Sequence, residues 1–167
     1  MSRTPKHPRT DLSLVPQLEW IRLAAFIDGE GSISIGYSVH KDPKFEGSRE
    51  KYEYVRLDIA NTDPRLMEWL VRVFGGSVRG AGHKRKSPAW KPAFWWTVSC
   101  TRATDILRGC LPYFIMKRDR AELAIALQAT MTRSGRRGTP DHVIAERTEI
   151  KTTLHALNAR GPLTRVG

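Results

Sequence analysis

The side chains best placed to do chemistry are two carboxylates, Asp28 and Glu30, in the run Asp28-Gly29-Glu30-Gly31. Hard divalent cations such as Mg²⁺ take carboxylate and backbone carbonyl oxygens. Glu30 offers the carboxylate, and Gly29 has no side chain to screen its carbonyl. Ions held there could activate a water, balance developing charge and assist a leaving oxygen, which hydrolysis of a phosphodiester needs. The motif occurs once, so two copies of Glu30 would have to meet at a two-fold axis to share the ions. Asp28 lies at the end of the preceding apolar run, where a carboxylate suits hydrogen bonds to backbone in the turn. A plainer reading is a core helix that closes on an Asp-Gly turn.

The elements around that run are legible from its periodicity. Trp20, Leu23, Ala24 and Ile27 fall on one helical stripe, with Ile21, Ala25 and Asp28 beside it. Beyond Gly31 the period becomes two, with Ser32 and Ser34 set against Ile33 and Ile35. The small residues Ala24 and Ala25 admit close packing of a partner helix. Trp20, Ile21, Ala24, Ala25 and Asp28 are therefore the expected dimer interface. The predicted order is a helix over 16–27, strands over 30–40 and 52–61, and a helix opened by Asp63-Pro64 and closed by Gly75-Gly76. Strands over 77–83 and 93–101 follow, then helices over 103–111, 116–131 and 141–159. This makes an α+β chain with a basic, Pro-rich flexible arm over 1–15, a single domain over 16–159 and a tail over 160–167. Helices on one side of the sheet leave its other face open.

Composition bounds the partners. The chain has 167 residues and a net charge of +11, from 28 Lys and Arg against 17 Asp and Glu. A basic domain of this kind most often meets nucleic acid. No apolar run approaches a membrane span or a secretion signal, so the expected place is intracellular: cytoplasmic, nucleoid-associated or organellar, not secreted. Cys100 and Cys110 make no Cys-x-x-Cys pair and the five histidines are scattered, so neither a zinc site nor a disulfide framework is expected. Both cysteines read as buried apolar residues.

The stretch Leu23-Ala24-Ala25-Phe26-Ile27-Asp28-Gly29-Glu30-Gly31 resembles the signature of the LAGLIDADG homing endonucleases. It departs at Ala25, where that family usually has glycine, and at Glu30, where its final acid is usually aspartate. Ile59-Ala60-Asn61-Thr62-Asp63-Pro64 resembles the segment after the family's second strand. Phe74-Gly75-Gly76-Ser77-Val78 resembles the one after its second helix, and Leu111 to Leu123 the one that delivers its basic residue. The likeness runs over roughly residues 16 to 132. It implies an αββαββα core whose four-stranded antiparallel sheet binds DNA. It implies a homodimer making a metal-dependent double-strand cut at a long pseudo-palindromic site. Mg²⁺ is the implied cofactor; Mn²⁺ should substitute, and Ca²⁺ should support binding without cleavage. By the same likeness, Gly29 and Glu30 hold metal, Asn61 positions water, and Lys117 polarises water or the scissile phosphate. Without it, Lys117 would read as one surface lysine beside Arg118 and Arg120. The alternatives are an intron RNA maturase or a non-cleaving DNA-binding regulator on the same scaffold, and a plain basic RNA-binding protein.

A curved antiparallel sheet can lie in the major groove and present alternate side chains to base edges. On the open face Arg56 and Arg79 are the candidate guanine readers. Ser32, Ser34, Ser38, His40, Trp95, Thr97 and Ser99 offer smaller contacts. Asp58 could accept from a cytosine amine or pair with Arg56 or Arg79 within the sheet. Lys41, Lys44, Arg49, Lys84, Arg85, Lys86 and Lys91 belong to loops, where contact with phosphates is expected.

Overall fold

The computed structural model describes residues 10–41, 49–80, 91–131 and 139–159, and the side chains within these except those of 39–41 and 49–52. Asp11 opens the described chain by accepting the Ser13 N–H at 2.9 Å, which starts a 3₁₀ turn over Leu12–Leu14. Leu12 and Val15 pack on the core, so the expected arm gives way to ordered chain before residue 15.

Pro16 precedes the first helix, α1 (Gln17–Glu30), which runs three residues past the sequence estimate. It ends where the Gly31 N–H reaches back to Ile27 and Phe26 carbonyls. A Cβ on Gly31 would stand 2.6 Å from the Ile27 Cα, so only glycine lets the chain turn this sharply into β1 (Gly31–Lys41). β2 (Arg49–Asn61) returns antiparallel. Asp63 then caps α2 (Pro64–Phe74) by accepting the Arg65 N–H at 2.9 Å. Gly75 and Gly76 close α2 with φ of 70° and 91°, in the region that favours glycine. The described part of β3 (Ser77–Gly80) stops three residues short of the expected strand, and β4 (Phe94–Ser99) follows. The last helices are α3 (Cys100–Cys110), α4 (Arg118–Thr130) and α5 (Asp141–Asn158).

The strands form one antiparallel sheet in the order β1-β2-β4-β3. One face carries Ile33, Val55, Leu57, Ile59, Trp96 and Val98, all buried under the helices. Leu23, Ala24 and Ile27 of α1 meet Leu70 and Phe74 of α2, Ile106 and Leu107 of α3, and Ala124 and Leu127 of α4 in the same core. Each fully buried large side chain contributes about 1.5–3 kcal/mol. Ala24 and Asp28 are thereby corrected: both are buried inside the single chain, and neither is surface for a partner. Trp20 is also largely taken up within the chain, its ring 5.2 Å from that of Phe74 and seated against Gly109. Cys100 is corrected as well: it is exposed at the start of α3, with φ of 56°, while Cys110 is buried as expected.

α5 is fastened differently. Only Leu154 of this helix is buried. Ile150 packs partly buried on the core, and polar contacts add to it: Lys151 pairs with Glu53 at 2.7 Å, and Arg147 donates to the Thr130 carbonyl. The Asn158 amide donates to the Ile33 carbonyl at 2.9 Å, which satisfies part of the free edge of β1.

Candidate functional site

The end of α1 holds the two carboxylates apart. Asp28 turns inward and accepts three successive backbone N–H groups, from Ile115 at 2.7 Å, Met116 at 3.3 Å and Lys117 at 2.9 Å. It ties the 115–117 segment to α1: the backbone groups it bonds are not those of its own turn, as the sequence suggests, but of a distant segment. Glu30 turns outward. Its Oε2 accepts the Asn61 amide N–H at 2.6 Å, and Asn61 is itself oriented because its Oδ1 accepts the Asp63 N–H at 2.9 Å. The carboxylate is thus aimed by an amide that the α2 cap fixes in place.

Lys117 reaches the same corner from the other side. Its Nζ donates to the Ile27 carbonyl at 2.6 Å and the Gly31 carbonyl at 2.7 Å, which satisfies acceptors at the negative end of the α1 dipole. Burial pulls the Lys117 ammonium below the usual lysine range; the charge of Asp28 opposes this, and that of Arg120 adds to it. The structure therefore gathers Glu30, Asn61 and Lys117 around the turn from α1 to β1. A Cβ built on Gly29 would meet nothing within 4 Å, so the space beside its backbone is open on the side away from the chain. Among the described residues no group of three or more His, Cys, Asp or Glu side chains could hold a metal. One chain offers Glu30 and the Gly29 carbonyl, which is part of the oxygen shell a hard cation takes.

The outer side of α1 completes the picture. Leu18, Ile21, Ala25 and Gly29 follow one another at intervals of three, four and four residues, an unbroken stripe ending beside Glu30. Leu18 is 54 % and Ile21 42 % exposed, with Phe26 at their flank. Ile115, 90 % exposed, and Met116 extend the apolar surface from the segment that Asp28 holds. Leu18, Phe26, Ile115 and Met116 were missed in the sequence; the spacing of Leu18 from Ile21 and Ala25 was the available signal.

The bare face of the sheet carries the expected polar residues in register. Ser32, Asp58, Thr97 and Ser77 form one row across the four strands. Ser34, Arg56 and Ser99 form the next, and Ala60, Trp95 and Arg79 a third. Paired residues share a face, so Ser38 stands there too, opposite Tyr52. The Tyr54 ring lies over Gly36, where a Cβ would come within 2.4 Å of it. Asp58 does not stand free: Arg56 and Thr97 both contact it. Lys91 is exposed just ahead of β4. Lys44, Lys84, Arg85 and Lys86, and the side chains of His40, Lys41 and Arg49, lie outside the described residues.

No protein-family model and no curated protein matches the sequence. Solved structures do match the fold. The homing endonuclease I-CvuI, in a structure described as a complex with the I-CreI target in the presence of Mg, superposes with a TM-score of 0.65 at 21 % identity. The match covers 90 % of this chain and 87 % of that one. The archaeal intron-encoded homing endonuclease I-Vdi141I, complexed with DNA, gives 0.62 at 13 % identity over 88 % of each chain. The LAGLIDADG homing endonuclease I-LtrWI, bound to target DNA, gives 0.56 at 23 % identity; the match covers 87 % of this chain but 46 % of that one. Among the described residues the architecture, α+β with a four-stranded antiparallel sheet and five helices, is that of the LAGLIDADG homing endonucleases.

Proposed function

We propose that this chain is a site-specific DNA endonuclease that works as a homodimer and needs a divalent cation. The observation that carries the reading is the outer stripe of α1, which is apolar along its length and ends at an outward carboxylate. Two copies packed through Leu18, Ile21 and Ala25 would cover that surface and bring both Glu30 side chains to the axis. Isolated, two such carboxylates would repel each other; a shared cation would hold them. Glu30 and the Gly29 carbonyl of each copy fit the donor set of Mg²⁺, and Mn²⁺ should substitute. Bound there, the ion would supply charge and an activated water for phosphodiester hydrolysis. Asn61 keeps the Glu30 carboxylate aimed. Lys117 sets the turn and keeps a positive charge beside the developing phosphate charge. The bare sheet face would follow a duplex of roughly palindromic sequence.

Three features of the neighbours support this. They are DNA complexes; I-CvuI was solved with Mg in one case, its DNA not cleaved, and with Ca in another. This chain spans most of I-CvuI and about half of I-LtrWI, as expected if two copies do the work of one longer chain. The second reading, a non-cleaving regulator or an intron RNA maturase, draws on Lys117, whose Nζ donates to two carbonyls of its own chain. The test is a binding and a nicking assay on one selected duplex with Mg²⁺, Mn²⁺ and Ca²⁺. Cutting with the first two and binding alone with Ca²⁺ is the expected outcome. Specific binding with no cut under any ion would install the second reading.

A further inference from the structure

The Arg56–Asp58–Thr97 cluster on the bare face of the sheet has a geometry that separates its members into roles. Arg56 and Asp58 alternate along β2, so both point to that face. The Arg56 Nη2 donates to Asp58 Oδ1 at 2.9 Å. Its Nε stands 2.7 Å from Oδ2, with the N–H aimed off the oxygen, so charge more than a linear hydrogen bond holds that side. Thr97, directly across on β4, donates its hydroxyl to the same Oδ1 at 2.6 Å. Asp58 is therefore gripped from two strands. Its side chain is 14 % exposed, against 33 % for Arg56. Of the pair, Arg56 is the more accessible to a ligand on this face.

The orientation of the guanidinium decides what it can recognise. Its Nε–Nη2 edge faces Asp58. Nη1 has no partner among the described residues, and with the second N–H of Nη2 it remains available to a ligand. Together they make a fork of parallel donors, the shape that matches the O6 and N7 acceptors of guanine in the major groove. The neighbouring carboxylate also cancels much of the Arg56 charge, which weakens its attraction to phosphate and leaves the directional contact dominant.

We propose that Asp58 is a positioning residue that locks Arg56 as the reader of one guanine in each half-site, with Thr97 fixing Asp58 in turn. Asp58 itself reads no base. This rests on the reading of the sheet as a DNA-binding face and adds the base it selects and the residues that select it. A free arginine on a strand can swing between phosphate and base, and ordering its side chain costs entropy on binding. A clamped one has already lost that freedom, so its preference for guanine is sharper.

The experiment selects from a randomised duplex DNA library with the full-length protein and compares base preference position by position. Wild type should enrich a site with one strongly preferred G·C pair per half-site that depends on Arg56. Arg56→Ala should flatten that position roughly tenfold to a hundredfold and leave the others unchanged. Asp58→Asn should flatten the same position although Arg56 is intact. In the Arg56→Ala background it should change nothing further. Arg56→Lys, which keeps a charge but has no fork, should not restore the preference. Thr97→Val, close in shape to threonine, should give a weaker form of the same loss, and it serves as the test if Asp58→Asn fails to fold. If Asp58→Asn erases preference at a C·G pair that Arg56→Ala leaves intact, Asp58 reads cytosine directly and the proposal is overturned. An unchanged profile for folded Asp58→Asn and Thr97→Val also overturns it. If wild type enriches no sequence at all, the DNA reading itself falls, a result distinct from either.

Discussion

Asp28 and Glu30 stand two residues apart at the end of one helix and live in opposite surroundings. A residue in an α-helix advances by about 100°, so positions i and i+2 point to nearly opposite sides. Asp28 is buried and accepts three backbone N–H groups. Glu30 faces out and has one amide partner, Asn61. The same split runs along the whole helix. Its inner stripe, Leu23, Ala24 and Ile27, is fully buried by the chain's own sheet and helices. Its outer stripe, Leu18, Ile21 and Ala25, is apolar and bare. Carboxylate chemistry alone does not assign a role; the side of the helix does. The inner side builds the monomer, and the outer side is where two monomers would build a site.

The largest effect should come from changing the outer acid. Glu30→Gln keeps an oxygen that can accept from Asn61, so folding and DNA binding should survive. Cleavage should fall by more than the ~10²–10³ that one lost oxyanion donor costs, because the charge that gathers the cation is gone. Asp28→Asn should do the reverse. It weakens charge-assisted hydrogen bonds worth about 1.5–3 kcal/mol each and turns an amide donor toward backbone N–H groups. A loss near 3 kcal/mol would lower the melting temperature by roughly 6–12 °C in a domain of this size. Calorimetry and a nicking assay on both variants measure the contrast. A Glu30→Gln protein that cuts at the wild-type rate would remove the metal role from the outer side.

The next effect separates the two alanines. Ala24→Leu forces extra methylenes into a filled core and should cost the monomer about 1–3 kcal/mol. Ala25→Glu meets no such core, because Ala25 is exposed. It should leave the melting of the single chain unchanged and abolish self-association. Light scattering should then give a mass near 18.9 kDa for the Ala25→Glu variant and about twice that for wild type. Equal masses for the two would mean that the outer stripe is not an interface.

Lys117 tests the corner between the two sides. Its folded pKa lies below 10.5, chiefly because the ammonium is partly buried. Between the lowered value and 10.5 the unfolded chain binds more protons at this site than the folded one, so stability rises with pH across that window. Below the window both states are charged and the slope vanishes. Lys117→Gln should lose the rise while keeping one donor for the Ile27 or Gly31 carbonyl. Urea melts across the alkaline range, wild type against variant, would read the difference directly.

Much of the frame was legible because local chemistry and fold agree there. Asp63-Pro64 opens α2 and Gly75-Gly76 closes it as their backbone preferences require. The strands followed from period two, and the bare face from which residues alternate with Ile33, Val55, Leu57 and Ile59. Glu30, Asn61 and Lys117, far apart in sequence, were brought to one corner, a placement that rested on resemblance and that no spacing could have given. At α1 sequence and structure part for one reason. α1 is apolar on two sides, and periodicity cannot say which side meets its own chain. Ala24 and Asp28 therefore read as interface although both are buried within the chain, and the exposed Leu18 and Phe26 do not stand out. The pairing of Asp58 depends on rotamers and on a cross-strand hydroxyl, neither of which a sequence displays.

The smallest effect belongs to the rim of the bare face. Lys91 is exposed and stands just before β4, at the end of the sheet where Trp95 and Arg79 face each other. An exposed lysine at a sheet end reads phosphate charge, not base identity. Neutralising one true phosphate contact releases about one fewer counterion, so the slope of log K against log salt should fall by about one unit for Lys91→Ala. The loss should be the same for the selected site and for unrelated duplex, since no base is involved. Arg79→Ala, on the face itself, should behave otherwise: it should cost roughly 1–3 kcal/mol on the selected site and relax preference at one base pair per half-site. Salt titrations of both variants on both duplexes place each residue. An unchanged slope for Lys91→Ala would put that lysine in solvent and narrow the DNA-contacting surface to the sheet. A uniform loss for Arg79→Ala would move that arginine from the group that reads sequence to the group that holds the backbone.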